Sequence, residues 1–408
     1  MKKVILLTTL ATSLVITAPT FARGFTAGVW KESLGPLEGD KELCMGGYGM
    51  PLSKLRCNIE GEHDDLSVRA LYLEKNGQQI NIVSIDAPGI GDSIIDGIKT
   101  ELNEISVNEQ NVYISATHTH AGLDYQGIWG GVSPEYKARL ISLSAKAVRQ
   151  AQLNAQRVKL FASTTTAPVS NRRGLKQVDD TVTTLHIVDV DTGDNVSTLI
   201  NMSAHPTILD QNNHLLSSDY VYYLREALEQ ELGGMSIFVN GILGDAQFKS
   251  EFRTFTSAKE FGDLVASNVV NALSNRQRIK GEITLESKML SHEVTNPNFL
   301  GLIRAESLDV HVDGSNNINA KVTKIELGDS FTIITSPGEA LTNLGLPIKK
   351  AMSSRYKMML GLTDGSYGYL IPSEEFETID GRKTEEQFSI DKNVGDEYKK
   401  LALELIRQ

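Results

Sequence analysis

The sequence holds few cysteines: two in 408 residues, Cys44 and Cys57. Two thiols cannot complete a cysteine-based zinc site on their own. A chain of this length also buries a core without disulfide staples. The two cysteines are close enough in sequence to pair in an oxidising compartment, or to stand as two buried thiols. Proline is sparse, eleven residues, and no Pro-rich linker, internal repeat or low-complexity tract divides the chain. Past the first residues, no apolar run approaches the ~20 residues of a membrane span. Positive charge is in deficit, Lys+Arg 40 against Asp+Glu 51, net −11. That argues against nucleic acid as the main partner, because phosphate binding needs concentrated positive charge, and against broad adhesion to anionic lipid. Several catalytic signatures are missing too. There is no Gly-x-Ser-x-Gly elbow, no phosphate-binding Walker loop, no dinucleotide fingerprint and no His-Glu-x-x-His helix.

What remains is globular in composition, 40% hydrophobic and 22% charged. Lys2 and Lys3, the apolar run 4–16 and the small residues Ala18, Thr20 and Ala22 read as a secretory signal peptide, residues 1–22. The expected mature protein, residues 23–408, is exported to a periplasm or secreted, with a small-molecule or lipid substrate and no transmembrane span. Alternating apolar residues predict a hairpin over 66–74 and 79–86 around Lys75-Asn76-Gly77. Further strands are predicted over 111–116, 158–163, 182–189, 196–202, 235–240, 321–327, 331–336 and 358–362. Helical spacing predicts helices over 134–156, 219–232, 257–274 and 391–408. Residues 282–312 show no clear period. The fold class is α/β: mixed β-sheets packed with outer helices in one large domain. Three long irregular stretches, 46–55, 121–132 and 363–382, are candidate functional loops.

Histidines mark the chemistry. In Ala116-Thr117-His118-Thr119-His120-Ala121-Gly122 a predicted strand runs into a glycine-rich loop. Residues two apart on an extended chain face one way, so His118 and His120 suit two metal ligands, or one ligand and one proton-transfer group. The other reading is two polar strand-end histidines. His205, in Ala204-His205-Pro206-Thr207, again follows an apolar strand. An anionic ligand is available in Ser336-Pro337-Gly338-Glu339, where a tight turn aims Glu339 from a strand tip; a solvated loop carboxylate is the plainer alternative. Such a donor set belongs to hydrolysis by metal-activated water, which needs about three protein ligands of N and O type and one open position. Asp245, after Gly244, either orients a histidine or the water or is a turn residue. The loop 127–131 with Trp129 walls a pocket or packs on a neighbouring sheet.

Together these segments resemble the neutral/alkaline (non-lysosomal) ceramidase family. The likeness rests on Gly46-Gly47-Tyr48-Gly49, the His118-Thr119-His120 motif, residues 178–189, His205-Pro206-Thr207, Asn240 through Gly244-Asp245, Pro337-Gly338-Glu339, and Tyr367-Gly368-Tyr369 followed by Glu374-Glu375-Phe376. The resemblance implies the family's N-terminal catalytic fold and a single Zn2+ held by His118, His205, Glu339 and Tyr369. His120 becomes the substrate-facing histidine, which donates a hydrogen bond to the carbonyl oxygen or passes a proton to the leaving amine. Arg172, in Asn171-Arg172, resembles a family arginine near the substrate. The implied reaction is hydrolysis of the amide between a fatty acyl chain and a sphingoid base.

Some positions depart from the family pattern. A family serine is here Gln247 and a family tyrosine falls at Gly381, while the chain ends before an immunoglobulin-like domain. These changes spare the implied ligands and alter the substrate side. The expectation is therefore a zinc amidase acting on an N-acyl compound. A zinc esterase or lactonase on the same scaffold and a non-catalytic zinc-binding homologue are the alternatives.

Overall fold

Residues 24–35, 43–48, 54–249, 252–376 and 384–408 are described by a computed structural model. The predicted signal segment, 1–22, and Gly381 lie outside the described residues. Strand β1 (Phe25–Ser33) pairs with β2 (Ser67–Lys75), which turns through Asn76-Gly77 into β3 (Gln78–Ile85). Both turn residues have positive φ, 53° and 83°, the hairpin geometry that Asn-Gly tolerates at low cost. Strands β4 (Val112–Ala116), β5 (Gln156–Thr166), β6 (Thr181–Asp189), β7 (Asn195–Met202), β8 (Met235–Asn240) and β9 (Gln277–Ile279) join them in a nine-stranded sheet. Its order is β8-β7-β6-β5-β1-β2-β3-β4, with β9 beside β5. A second sheet runs β10 (Ile283–Glu293), β11 (Asn317–Leu327), β12 (Phe331–Thr335) and β13 (Tyr356–Leu360). Three adjacent pairs are parallel: β3 with β4, β7 with β8, and β12 with β13.

Alternation along the strands gives each sheet two apolar faces. Leu71, Leu73, Ile80 and Ile82 of the large sheet meet Ile325, Phe331, Ile333 and Met358 of the small one. On the other face of the large sheet, Val83 and Ile85 pack on α1 (Asp92–Glu104) and α2 (Pro134–Leu153) through Ile94, Ile98, Leu140 and Val148. Farther along that face, Ile200 and Phe238 meet α3 (Tyr220–Leu232) and α4 (Phe255–Ala272). The small sheet is covered by α6 (Thr342–Ala351) and α7 (Val394–Arg407), with α5 (Pro297–Arg304) at one end. The result is four layers, helix–sheet–sheet–helix, the mixed α/β architecture the sequence predicted. Each fully buried Leu, Ile or Phe contributes about 1.5–3 kcal/mol.

Residues 282–312 contain an 11-residue strand and helix α5. In β10 only Ile283 and Leu290 are buried, because it is an edge strand with one neighbour; its composition therefore stays polar and hides the period. Helix α6 carries Gly345 and Pro347 inside it, which conceals it from propensity reasoning. Cys44 and Cys57 form a disulfide. Among the described residues no helix is long and apolar enough to cross a membrane.

Candidate active site

The three parallel pairs release their chain at the carboxyl ends of the strands, the common position for sites in α/β folds. Ala116 ends β4, and the chain continues into Thr117 and His118, whose N–H groups donate to the carbonyls of Ile85 and Ala87 at 2.8 and 2.9 Å. Met202 ends β7 three residues before His205. Thr335 ends β12, and Ser336-Pro337-Gly338 turns the chain into Glu339. Glu339 then pairs in a short parallel bridge with Tyr369.

The turn at His118 differs from the extended chain that the alternation implies. Its φ is +66°, a left-handed conformation that a non-glycine residue holds only when its surroundings enforce it. His118 and His120 therefore converge through a turn rather than through strand alternation. Their Nε2 atoms stand 3.2 Å apart. His118 Nε2 is 3.4 Å and His205 Nε2 3.0 Å from Glu339 Oε2. All three of these residues are buried, at 5%, 4% and 6% exposure. The remaining ring nitrogens are fixed by backbone carbonyls: His118 Nδ1 by Pro88, and His205 Nδ1 by Ala246 at 3.0 Å. That arrangement directs both Nε2 atoms inward.

This cluster fits a divalent cation of borderline softness. Two ligands about 2.1 Å from one ion at a tetrahedral angle stand about 3.4 Å apart, close to the separations seen. Glu339 Oε2 is buried yet no hydrogen bond to it has good geometry, although two imidazole nitrogens face it. The ligand-capable nitrogens of His118, His120 and His205 all lie within 4.8 Å of one another.

Burial sets the protonation states here. His120 is held well below the ordinary imidazole range, by desolvation first and then by His118 and His205. His205 is lowered as well, chiefly by burial, against the opposing pull of Glu339. Burial works to raise the Glu339 carboxyl, but His118 and His205 prevail and hold it well below its usual value. The Tyr369 hydroxyl is pushed up by burial and by Glu339, with Arg172 opposing.

Arg172 lies over the Tyr369 ring, its guanidinium carbon 5.4 Å from the centroid. It donates to the Gly244 carbonyl at 2.7 Å and pairs with Glu385 at 3.1 Å. Burial disfavours its charge, but Tyr369, Glu385 and Glu339 more than offset that and raise its pKa. It contacts Tyr369 and does not line the cavity described below. Asp245 is fully buried. Its carboxylate accepts from Thr342 N and Oγ1 at 2.8 and 2.6 Å and from Asn171 at 2.8 Å. No histidine is among those partners; they tie the 244–245 turn to the residues just after Glu339. Gly244 has no room for a side chain, since a Cβ there would meet the Glu339 carbonyl at 2.6 Å. Gln247 sits on the short strand Ala246–Phe248, bridged to His205.

A cavity of about 270 Å³ opens on His118, His120, Glu339 and Tyr369. Trp129 lines it, so the glycine-rich loop does form a wall. Asp124 shapes that loop by accepting from the backbone N–H of Gln126, Gly127, Trp129 and Gly131 at 2.6–3.1 Å. Two residues gained no role from sequence reasoning. Tyr48 lies edge-on to His120, with ring centroids 4.8 Å apart. Arg56 stacks 4.9 Å from the Tyr48 ring and donates to the His120 carbonyl. Gly47, with φ +87°, leaves space that the His120 ring fills. The Gly46-Gly47-Tyr48 segment was the available signal for this contact.

No family model and no curated protein matches the chain. Solved structures do. The neutral ceramidase from Pseudomonas aeruginosa superimposes with a TM-score of 0.78 at 16% identity, over 94% of this chain and 74% of that one. A ceramidase complexed with C2 gives a TM-score of 0.78 at 16% identity, over 94% and 75%. The chain has the neutral ceramidase fold.

Proposed function

We propose that this protein is an exported zinc-dependent hydrolase that cleaves the amide bond of an N-acyl substrate. One observation carries the reading. Two buried imidazole nitrogens and a buried carboxylate oxygen converge within 3.4 Å beside a cavity, with no aligned hydrogen bond between them. His118, His205, Glu339 and Tyr369 would hold the ion beside the cavity. Zinc bound there supplies a Lewis acid for the scissile carbonyl and a water that ionises near neutral pH.

The remaining work falls to side chains. His120, kept neutral by burial, faces the same point and donates a hydrogen bond to the carbonyl oxygen or passes a proton to the leaving amine. Tyr48 and Arg56 fix the His120 ring and its backbone. Arg172 contacts Tyr369 and favours its ionised form by charge. Asp245 is a positioning residue for Glu339, through Thr342. Apolar walls exclude water from the reacting atoms. The disulfide supports export, since such bonds persist in oxidising compartments.

The substitution at Gln247 favours a second reading, an esterase or lactonase with the same metal centre. Gln247 is bridged through its backbone to His205, at a position where the resembled family carries a serine, and the proposed ligands are intact. The test is a pair of variants, His118→Ala and Glu339→Ala. Each is expected to lose bound zinc and turnover together. A variant that keeps one tightly bound zinc defeats the ligand assignment. A panel of amides, esters and lactones then separates the two reactions.

A further inference from the structure

Two polar side chains on the cavity wall take no part in the metal cluster. Gln126 and Ser366 both line the cavity, at 7% and 5% exposure. Neither belongs to the segments that carry the family resemblance. They come from different loops, and each of those loops also supplies a candidate ligand. Gln126 follows His118 in the chain that leaves β4, and Ser366 stands shortly before Tyr369. The Gln126 amide lies against Gly89, where a Cβ would meet Oε1 at 2.3 Å and Nε2 at 2.9 Å. Gly89 in turn follows Pro88, whose carbonyl fixes His118 Nδ1.

Hydrogen bonds decide which capacity each side chain has left. Gln126 Nε2 donates to the Ser366 carbonyl at 3.2 Å, which sets the amide orientation and commits the nitrogen rather than the oxygen. Among the described residues nothing donates to Gln126 Oε1, and that oxygen is not sealed off from the cavity. Ser366 Oγ accepts from Ile90 N at 3.0 Å, and its own proton has no acceptor among the described residues. The pair therefore offers one free acceptor and one free donor. Backbone bonds hold both in place. Gln126 N donates to Asp124 at 3.1 Å, and the Gln126 carbonyl accepts from Asp309 N at 2.9 Å. On either side of Ser366, Asp364 N donates to Ile114 and Tyr367 N to Pro337, at 2.8 and 3.0 Å. A polar pair fixed in advance loses little freedom on binding, and buried polar groups left unmatched are costly.

We propose that Gln126 Oε1 and Ser366 Oγ form a polar subsite that selects substrates carrying a neutral hydrogen-bonding group, a hydroxyl or a carboxamide, near the scissile bond. This deepens the hydrolase reading and rests on it. Such a group gives its proton to Gln126 Oε1 and takes one from Ser366 Oγ. A methyl group in its place leaves both atoms unmatched. A carboxylate has no proton for Oε1 at neutral pH. Two hydrogen bonds of ordinary net strength favour the polar substrate by about tenfold to a hundredfold.

The experiment measures kcat/KM of the zinc-loaded protein for matched N-acyl anilides that carry a hydroxyl, a carboxamide or a methyl group. The substituent is moved along the acyl chain and then onto the ring. In parallel, affinity is measured for the matching non-hydrolysable sulfonamides. At its best position the hydroxyl or carboxamide member is expected to exceed the methyl member by about tenfold or more in both series. Gln126→Leu is expected to cut that ratio by about threefold or more, and Ser366→Ala supplies the same test where that variant does not fold. A methyl member that does as well at every position overturns the proposal, as does a preference that both substitutions leave unchanged. If no anilide is turned over while the sulfonamides show a preference that the substitutions remove, the hydrolase reading fails and the subsite stands. If neither series shows any binding or turnover, both fail.

Discussion

Removing the charge of Arg225 should cost the fold more than any surface substitution. Arg225 on α3 and Asp86 after β3 are both completely buried. Two hydrogen bonds join them, at 3.0 and 2.8 Å, and Ser218 Oγ takes a third guanidinium nitrogen bond at 2.8 Å. Asp86 also accepts from Ser67 N and Oγ, both at 2.9 Å. Arg225→Met keeps the apolar stem and leaves a carboxylate without its counter-charge in the interior. Breaking one side of such a pair costs about 3–5 kcal/mol. Urea denaturation should report that loss as a lower midpoint at unchanged slope. Asp86→Leu combined with Arg225→Met should recover much of it, because no orphaned charge remains. The damage should also reach the site. The two residues after Asp86 supply the carbonyls that hold His118 N and Nδ1, so zinc affinity is expected to fall about 10–100-fold. A single variant within about 1 kcal/mol of wild type, or a double variant no better than the sum of its parts, would refute the reasoning.

Further outcomes follow from other parts of the fold. Burial pushes the Asp92 carboxyl up to about 7, against the His311 N–H and Tyr367 hydroxyl that favour its charge. The native state therefore holds a proton there that the unfolded chain, with a pKa of about 3.9, has released. This contribution is present below about pH 4 and is lost as pH rises through about 7. Asp92→Asn should remove that pH dependence and, at pH 8, exceed wild type by on the order of 2–4 kcal/mol; identical pH–stability profiles would contradict it. Reducing Cys44–Cys57, which closes a loop of 13 residues, should cost about 3 kcal/mol, read as a drop in Tm with reductant. Tyr48→Ala should lower kcat with little change in zinc content, because it removes the ring against His120 and no candidate ligand; lost zinc would assign Tyr48 a different role.

The strands that build the large sheet were legible because β3 and β7, buried along most of their length, are rich in Ile, Leu and Val. Their carboxyl ends carried the histidines in sequence, so the neighbourhood of the site was readable as well. The pairing of Glu339 with Tyr369 was not, because a two-residue bridge leaves no period. The contact between Gln126 and Ser366 gave no signal either, since it joins two irregular stretches 240 residues apart. Sequence left Asp245 as either an orienting carboxylate or a turn residue; its hydrogen bonds run to Thr342 and Asn171, partners that only tertiary packing brings together.

The central claim is tested most directly by titrating metal-free protein with zinc and following amide hydrolysis of a short N-acyl anilide. The account predicts turnover that rises in proportion to zinc, saturates at one ion per chain and vanishes when a chelator removes it. Full turnover in the metal-free protein, or turnover indifferent to chelator, would contradict it.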